Sequence, residues 1–412
     1  MYLTIKSNLK LGKAEILYLN KLTRTAKNLY NCALYQVRQY YIQHGEYLSY
    51  EKNYQLLKTN ANYQLLQSTQ AQGIIRKVDE AMKSFFNHIK KGIKGVRLPR
   101  YLKKDSYFPL IDRMVYKPHR KYYVLPMSKR IHKVIYNRID DKLIDDIKRL
   151  EIKRMRVKTP VLIQDRQIKE ITIKPSRDGK QFSISYVYKD EKKYEQVTTH
   201  TPNEMGIDFG YHNLAFCATK KNHLLLDGRY VMSLNQWYHK HMAKLSSKRL
   251  DQNVLTHQMK RLINKRNNQM AYYINKSARL IIDFSIENQV NHIMMGYNDG
   301  FKDINLSKRY NQMTKSIPIA RLRDRITLLA KRHGIRLVIV NEAYTSKASF
   351  IDNEPLRAYP FSGIRIKRGL FQTKDGKLMN ADLNAALNII RKSKAEFKVG
   401  YSGLNTPKRT YL

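Results

Sequence analysis

Residues 205–228 constrain the fold more than any other stretch of the chain. Three apolar segments, "MGIDFG", "NLAFCAT" and "HLLLDG", follow one another at hairpin spacing, which predicts an antiparallel three-strand meander. A long basic helical stretch over roughly 234–290 comes next. It is followed by a strand "HIMMG" (292–296), a helix "IPIARLRDRITLLAKRHG" (317–334) and a strand "RLVIV" (336–340). A glycine-ended helix between two apolar strands is a βαβ unit, so these two strands are expected to lie parallel and adjacent. "RLVIV" is short, apolar and β-branched, and it reads as a buried strand. A hairpin-rich insert (343–379), turned at Asp375–Gly376, leads to a last helix, "NADLNAALNIIRK".

The preceding half reads differently. A short alternating strand, "YLTIKS", lies within residues 1–20. From about 21 to 95 the apolar residues recur at helical spacing, with Leu29, Ala33, Val37 and Tyr40 on one stripe and Ile74, Val78, Met82 and Phe85–Phe86 on another. Pro99 ends that pattern. Residues 105–200 hold strand-like runs, "YFPLI", "YYVLP", "KEITIK" and "QFSISYVY", the last two joined by a turn at Asp178–Gly179. The expected organisation is therefore a β-domain of 1–20 and 96–200, interrupted by a helical insert of 21–95. An α/β domain of 201–395 follows, and then an irregular tail of 396–412 carrying Gly400, Gly403 and Pro407.

Charge narrows the partners. The 412 residues contain 78 Lys and Arg against 33 Asp and Glu, a formal charge of +45. A compact chain tolerates that self-repulsion when a polyanion neutralises it, and a long nucleic acid is the obvious one. No apolar run reaches the roughly 18 residues of a membrane span. The start, "MYLTIKSNLKLGK", has no apolar signal core, so a cytoplasmic or nucleoid-associated protein is expected. Two cysteines, Cys32 and Cys217, suffice neither for a zinc ribbon nor for a disulfide framework. The 30 tyrosines suit base stacking, although half-buried packing accounts for most tyrosines in any chain.

In so basic a chain the acids that fall within apolar elements stand out. Strand alternation puts Met205, Ile207 and Phe209 on one face and Asp208 on the other, between two glycines that permit close approach. A carboxylate in mid-strand is costly unless paired or metal-bound. Asp382 sits in the first turn of the last helix, capped by Asn380, and shares a face with Ala385, Ala386 and Ile389. That face is small and apolar, so Asp382 is expected to point into the domain. Three antiparallel strands, then helix, strand, helix, strand, helix is the order of the RNase H-like fold. Its chemistry gathers carboxylates from separate elements around two divalent metals about 3.5–4 Å apart. Mg²⁺ or Mn²⁺ suits such oxygen ligands. The natural place for a third acid, after the fourth strand, holds Gly296. Glu342, at the end of the neighbouring fifth strand about 4.8 Å away, is long enough to supply it. Asp299, in the turn "NDG", is the competitor.

"GIDFGYHNLAF", "YTSKASF" and "NADLNAALNI" resemble the RuvC motifs of the TnpB proteins carried by bacterial insertion sequences, the relatives of type V CRISPR effectors. The resemblance implies a multidomain α+β and α/β protein: an N-terminal β-barrel wedge domain with a helical recognition insert, then an RNase H-like (RuvC) nuclease domain. It implies an RNA-guided DNA endonuclease, a guide RNA from the element's end, a double-stranded DNA target read beside a short flanking motif, and two Mg²⁺ or Mn²⁺ ions on Asp208, Glu342 and Asp382. Lys347, Arg365, Lys367 and Arg368 are the expected nucleic-acid contacts, and a monomer is expected. The chain departs from the family twice. TnpB proteins usually carry a glutamate where Gly296 stands, though some branches carry it at the position of Glu342. They also usually place a four-cysteine zinc module after "YTS", whereas "YTSKASFIDNE" has none, so no zinc is expected and the hairpin must hold its shape by strand pairing alone. Two other readings remain open at this point: a nuclease-inactive RNA-guided repressor, and an RNA-independent transposase or resolvase.

Overall fold

The computed structural model describes residues 2–113, 121–125, 128, 130–131, 155–190, 203–249, 251, 254–298, 307, 311–312, 315–393, 397, 399 and 407–411. The chain divides into two compact units, Met1–Lys192 and Lys193–Leu412, a boundary about eight residues before the one read from the sequence.

The first unit opens with strand β1 (Tyr2–Asn8) and then four helices: α1 (Lys13–His44), α2 (Tyr50–Leu57), α3 (Ala61–Gln64) and α4 (Ser68–Lys90). Helix α1 begins at Lys13 rather than near residue 21. Its first turn is closed by Glu15, whose Oε2 accepts the Gly12 amide at 2.7 Å, a capping arrangement invisible to a search for apolar stripes. Leu29, Ala33 and Val37 are buried on α1, as are Ile74, Val78, Met82 and Phe85 on α4. Strands β2 (Leu110–Asp112), β3 (Tyr122–Val124), β4 (Arg156–Lys158), β5 (Ile168–Pro175) and β6 (Phe182–Lys189) follow. They form an antiparallel sheet of order β1-β6-β5-β2 and a β3-β4 ribbon. The β5–β6 hairpin turns at Gly179, φ +67°. Among the described residues the sheet does not close into a barrel.

The second unit is built on β7 (Glu204–Phe209), β8 (Asn213–Ala218), β9 (His223–Asp227), β10 (His292–Gly296), β11 (Arg336–Val340) and β15 (Lys408–Tyr411). These six strands make one sheet of order β11-β10-β7-β8-β9-β15. The β7-β8-β9 meander is antiparallel, and β10 runs parallel to β7 and to β11. Helices α5 (Arg229–Ser247), α6 (His257–Glu287) and α7 (Ile319–Arg332) occupy the basic stretch and the crossover, and α8 (Ala381–Ser393) closes the order. One core packs Met205, Ile207, Ile293 and Met295 with Ile274, Ile281, Leu322 and Ile326. A second, on the other face, packs Phe216, Leu225 and Met294 with Ala386, Leu387, Ile389 and Ile390 of α8. Alternation along β7 thus turns Met205 and Ile207 to α6 and α7, and Gly206 and Asp208 to α8.

Two expectations fail here. Residues after 393 are not wholly irregular, because β15 adds in parallel to β9, with Arg409 opposite Leu225 and Tyr411 opposite Asp227. The run "KRTY" lacks an apolar pattern, and the strand is held by the edge it joins. Nor is β11 a buried strand. Val338 is 36% and Ile339 51% exposed, because β11 pairs with β10 alone and forms the sheet edge. An apolar run gives strand character but not its place in the sheet.

The insert between β11 and α8 carries a three-stranded antiparallel sheet, β12 (Ile364–Lys367), β13 (Leu370–Gln372) and β14 (Leu378–Asn380). The expected turn at Asp375–Gly376 is formed, with Gly376 at φ +78°. No described helix is long and apolar enough to cross a membrane.

Candidate nuclease site

The junction of β7 with α8 sets the position of two acids. A Cβ on Gly206 would lie 2.1 Å from the carbonyl oxygen of Ala386 and 2.9 Å from the Ile390 side chain. The helix backbone therefore rests directly on the strand, which requires glycine below and the small Ala385–Ala386 pair above. One turn earlier, Asn380 caps α8, its Oδ1 accepting the amides of Asp382 (2.9 Å) and Leu383 (3.1 Å). Asp382 is thereby presented at the same end of the sheet as Asp208. Its Oδ2 accepts Asn213 Nδ2 at 2.6 Å, and its Oδ1 accepts Arg365 at 3.3 Å.

Glu342 arrives from the sheet edge. Val340 is the register partner of Gly296, and the chain turns immediately after it. Thr345 donates from its amide (3.2 Å) and its hydroxyl (2.8 Å) to the Glu342 carbonyl, and Tyr344 adopts φ +69°. A Cβ on Gly296 would meet Glu342 Oε2 at 3.1 Å and Ile389 Cδ1 at 2.6 Å. The Glu342 carboxylate thus reaches over Gly296 and occupies the space a side chain there would fill. Asp299, the competing acid, lies outside the described residues.

Asp208, Glu342 and Asp382 line a single cleft of about 780 Å³ together with His212, Asn213, Arg229, Asn298, Lys315, Arg365, Arg368 and Arg409. Burial, then the charges of Asp382 and Glu342, hold the Asp208 carboxyl well above the usual carboxylate range, with Arg365 opposing. Burial also raises that of Glu342. Burial lowers that of His212, with Arg368 and Arg229 adding to the effect. Among the described residues no donor bonds the Asp208 or Glu342 carboxylates. Two such carboxylates beside a third are a hard-oxygen set that fits Mg²⁺ or Mn²⁺. As they stand, no three His, Cys, Asp or Glu side chains among the described residues are close enough to hold an ion. Arg365 sits on Asp382.

Of the expected nucleic-acid contacts, Arg365 and Arg368 line the cleft. Lys347 and Lys367 are exposed outside its lining. Asn213, Arg229 and Arg409 were not singled out by the sequence. Asn213 follows a turn and Arg409 sits in a run with no motif, so neither carried a signal.

The insert is not held by strand pairing alone. Glu354, 6% exposed, accepts the amides of Ser349 (2.6 Å), Ser362 (2.6 Å) and Gly363 (3.2 Å) and the Ser362 hydroxyl (2.6 Å). Helix α8 contributes asparagines at every fourth position. Asn384 Oδ1 accepts the Phe350 amide, and its Nδ2 donates to the Ala348 carbonyl. Asn388 Nδ2 donates to the carbonyls of Thr345 (2.9 Å) and Ala348 (2.7 Å), and Lys392 Nζ to that of Ala343 (2.6 Å). A carboxylate and an asparagine ladder thus fix the backbone that carries Glu342. The Asn380–Asn384–Asn388 repeat follows helical spacing, but its role shows only with the loop above it in place.

Residues 183–301 match the family model OrfB_IS605, described as a probable transposase. Residues 320–389 match the Cas12f1-like TNB domain. A cryo-EM structure of a Cas12f1–sgRNA–target DNA complex aligns over 92% of this chain and 83% of that one at 17% identity and a TM-score of 0.57, a shared fold. A cryo-EM structure of a CRISPR-Cas12f ternary complex aligns over 94% and 83% at 18% identity, with a TM-score of 0.37. No curated protein matches the chain.

Proposed function

We propose that this chain, a TnpB-like relative of the Cas12f proteins, is an RNA-guided DNA endonuclease with an RNase H-like, RuvC-type site at Asp208, Glu342 and Asp382. The observation that carries the reading is the Glu342 carboxylate over Gly296. An acid missing from the fourth strand is supplied from the fifth, beside two acids fixed by the β7–α8 junction. The order β11-β10-β7-β8-β9 supports the RNase H-like assignment. The first unit is the part we assign to the RNA, as a wedge domain built on an open sheet among the described residues and interrupted by a recognition insert of α1–α4. The +45 charge supports a chain that carries a structured guide RNA and a double-stranded DNA target; a monomer in the bacterial cytoplasm is part of the same proposal. Target sequence is then read by base pairing and a short flanking motif by the protein.

Two divalent metals bound by the three carboxylates would supply an activated water and stabilise the leaving oxygen of a phosphodiester. The chain's own residues do the rest. Asn213 fixes the rotamer of Asp382 through its 2.6 Å hydrogen bond. Arg365 donates to Asp382 Oδ1 at 3.3 Å, and the remaining donors of its guanidinium can bind phosphate. The turn at Thr345 holds Glu342 at the strand end.

The test is the purified chain with its copurifying RNA. That RNA should be one specific transcript, and DNA matching it should be cut with Mg²⁺, not in EDTA. Absence of a specific RNA favours a transposase or resolvase. Guided binding without cutting in Mg²⁺ favours a repressor.

A further inference from the structure

Strand β9 ends in Asp227, which is 3% exposed and serves two arginines from different elements. Arg229, the first residue of α5, donates to it from its amide (2.9 Å), from Nε (2.9 Å to Oδ2) and from a terminal nitrogen (2.6 Å). Arg409 of β15 donates from Nε (3.1 Å) and a terminal nitrogen (2.7 Å). A packing role for these arginines would bury them, yet their side chains stay 59% and 45% exposed. Both line the cleft that holds Asp208, Glu342 and Asp382. One carboxylate cannot neutralise two guanidiniums, so the trio keeps a net positive charge. Each guanidinium has five N–H donors in a fixed fork, and Asp227 engages only part of each. The cost of ordering two long side chains is therefore met in the folded protein, before any ligand arrives. Asn213, the register partner of Asp227, is also the donor to Asp382, which ties the arginine pair to the acids through one strand position.

We propose that Arg229 and Arg409, aligned by Asp227, form a subsite for a backbone phosphate of the DNA strand entering the cleft. The subsite sets where that strand lies against the three acids. It rests on the nuclease reading and adds a substrate contact to it. Arginine rather than lysine fits the task, because the planar fork grips phosphate bidentately. The strand approaches the acids from the β9–β15 side, and Arg229 and Arg409 are positioning residues, since they do not touch the reacting atoms.

The experiment uses the full chain with its RNA and target DNAs that each carry one neutral methylphosphonate linkage, scanned through the nucleotides flanking the cut. The wild type should lose about tenfold in kcat/KM at one or two linkages, as expected when a charge-assisted pair is removed. Arg229→Gln and Arg409→Gln should lose a similar factor on unmodified DNA, chiefly in kcat, because guide pairing supplies the target affinity and the arginines only position the strand. They should show little further loss at those linkages, while Arg→Lys variants recover part of the activity. Guided binding of the target should be unchanged. Variants as sensitive to the same linkages as the wild type overturn the subsite, as does a wild type indifferent to every linkage. If Arg409→Gln fails to fold because β15 loses its tie to β9, Arg229→Gln carries the same comparison, since Arg409 still holds Asp227. A wild type that binds its guided target and cuts nothing overturns the nuclease reading itself, which separates the two failures.

Discussion

The middle and the β11 edge of the six-stranded sheet place their acids by opposite means. In the middle, Asp208 and Asp382 owe their positions to contact: α8 lies on Gly206 so closely that a methyl group does not fit. At the β11 edge Glu342 owes its position to hydrogen bonds. Val338 and Ile339 are exposed beneath it, and the following turn is tied by Asn388, Lys392 and, further on, Glu354. Close packing fixes geometry to within a fraction of an ångström because interiors are dense. A polar tie fixes it only while each donor keeps its acceptor. An acid moved to the edge of a sheet therefore needs an added scaffold, and here the scaffold is the insert between β11 and α8.

The comparison breaks first at the acids. If edge and centre act as one site, Glu342→Gln should abolish cleavage as completely as Asp208→Asn, by several orders of magnitude, with guided DNA binding retained. Double variants should be no worse than single ones, since groups acting as a unit are not additive. Asp299→Ala should cut normally. A dead Asp299→Ala beside an active Glu342→Gln would move the third acid off the β11 edge.

Gly206→Ala probes the packed side. Its Cβ would stand 2.1 Å from the Ala386 carbonyl, so α8 must shift, carrying Asp382 with it. Overpacking of this kind costs about 1–3 kcal/mol, visible as a lower denaturation midpoint, and cleavage should fall further than stability alone explains. Unchanged stability would mean that α8 is not seated on β7.

What the sequence disclosed follows the same division. Strand alternation around Asp208, the cap at Asn380 and the small face of α8 are local patterns, and from them the placement of two acids could be read. The reach of Glu342 could be anticipated because parallel neighbours have a fixed spacing. The edge position of β11, the start of α1 and the β15 pairing could not, since each depends on a partner far away in sequence or on one capping side chain. The same holds for Glu354: an acid in an exposed-looking loop shows nothing of the four donors that gather round it.

Asn388→Ala tests the tie directly. Its Nδ2 holds two carbonyls of the turn after Glu342. Removing it leaves Ala348 with the Asn384 bond and Thr345 without a side-chain donor. Cleavage should drop by about 10–100-fold, the range seen for groups that orient metal ligands, with little change in guided binding. The metal requirement should rise, read as a higher Mg²⁺ concentration for half-maximal rate, whereas a merely structural role would lower stability and leave that concentration alone.

The smallest effect is expected at Glu354, and it carries a pH signature. Burial alone would raise its carboxyl, but the amides of Ser349, Ser362 and Gly363 and the Ser362 hydroxyl outweigh burial and lower it. A carboxylate whose folded value lies below its unfolded one, about 4.3, stabilises the protein fully above that unfolded value. The contribution is lost as the pH falls through the folded value, because the unfolded state then binds the extra proton. Glu354→Gln keeps the shape but replaces an acceptor of four donors with an amide that accepts at one atom and donates at the other. At neutral pH it should cost about 1–3 kcal/mol, and the difference from wild type should shrink as the pH is taken below about 4. Thermal denaturation of the two proteins across that window measures it. Because the tie to Glu342 runs through Asn388 as well, cleavage at neutral pH should fall only slightly. A large loss of cleavage with little loss of stability would instead make Glu354 the main support of the edge.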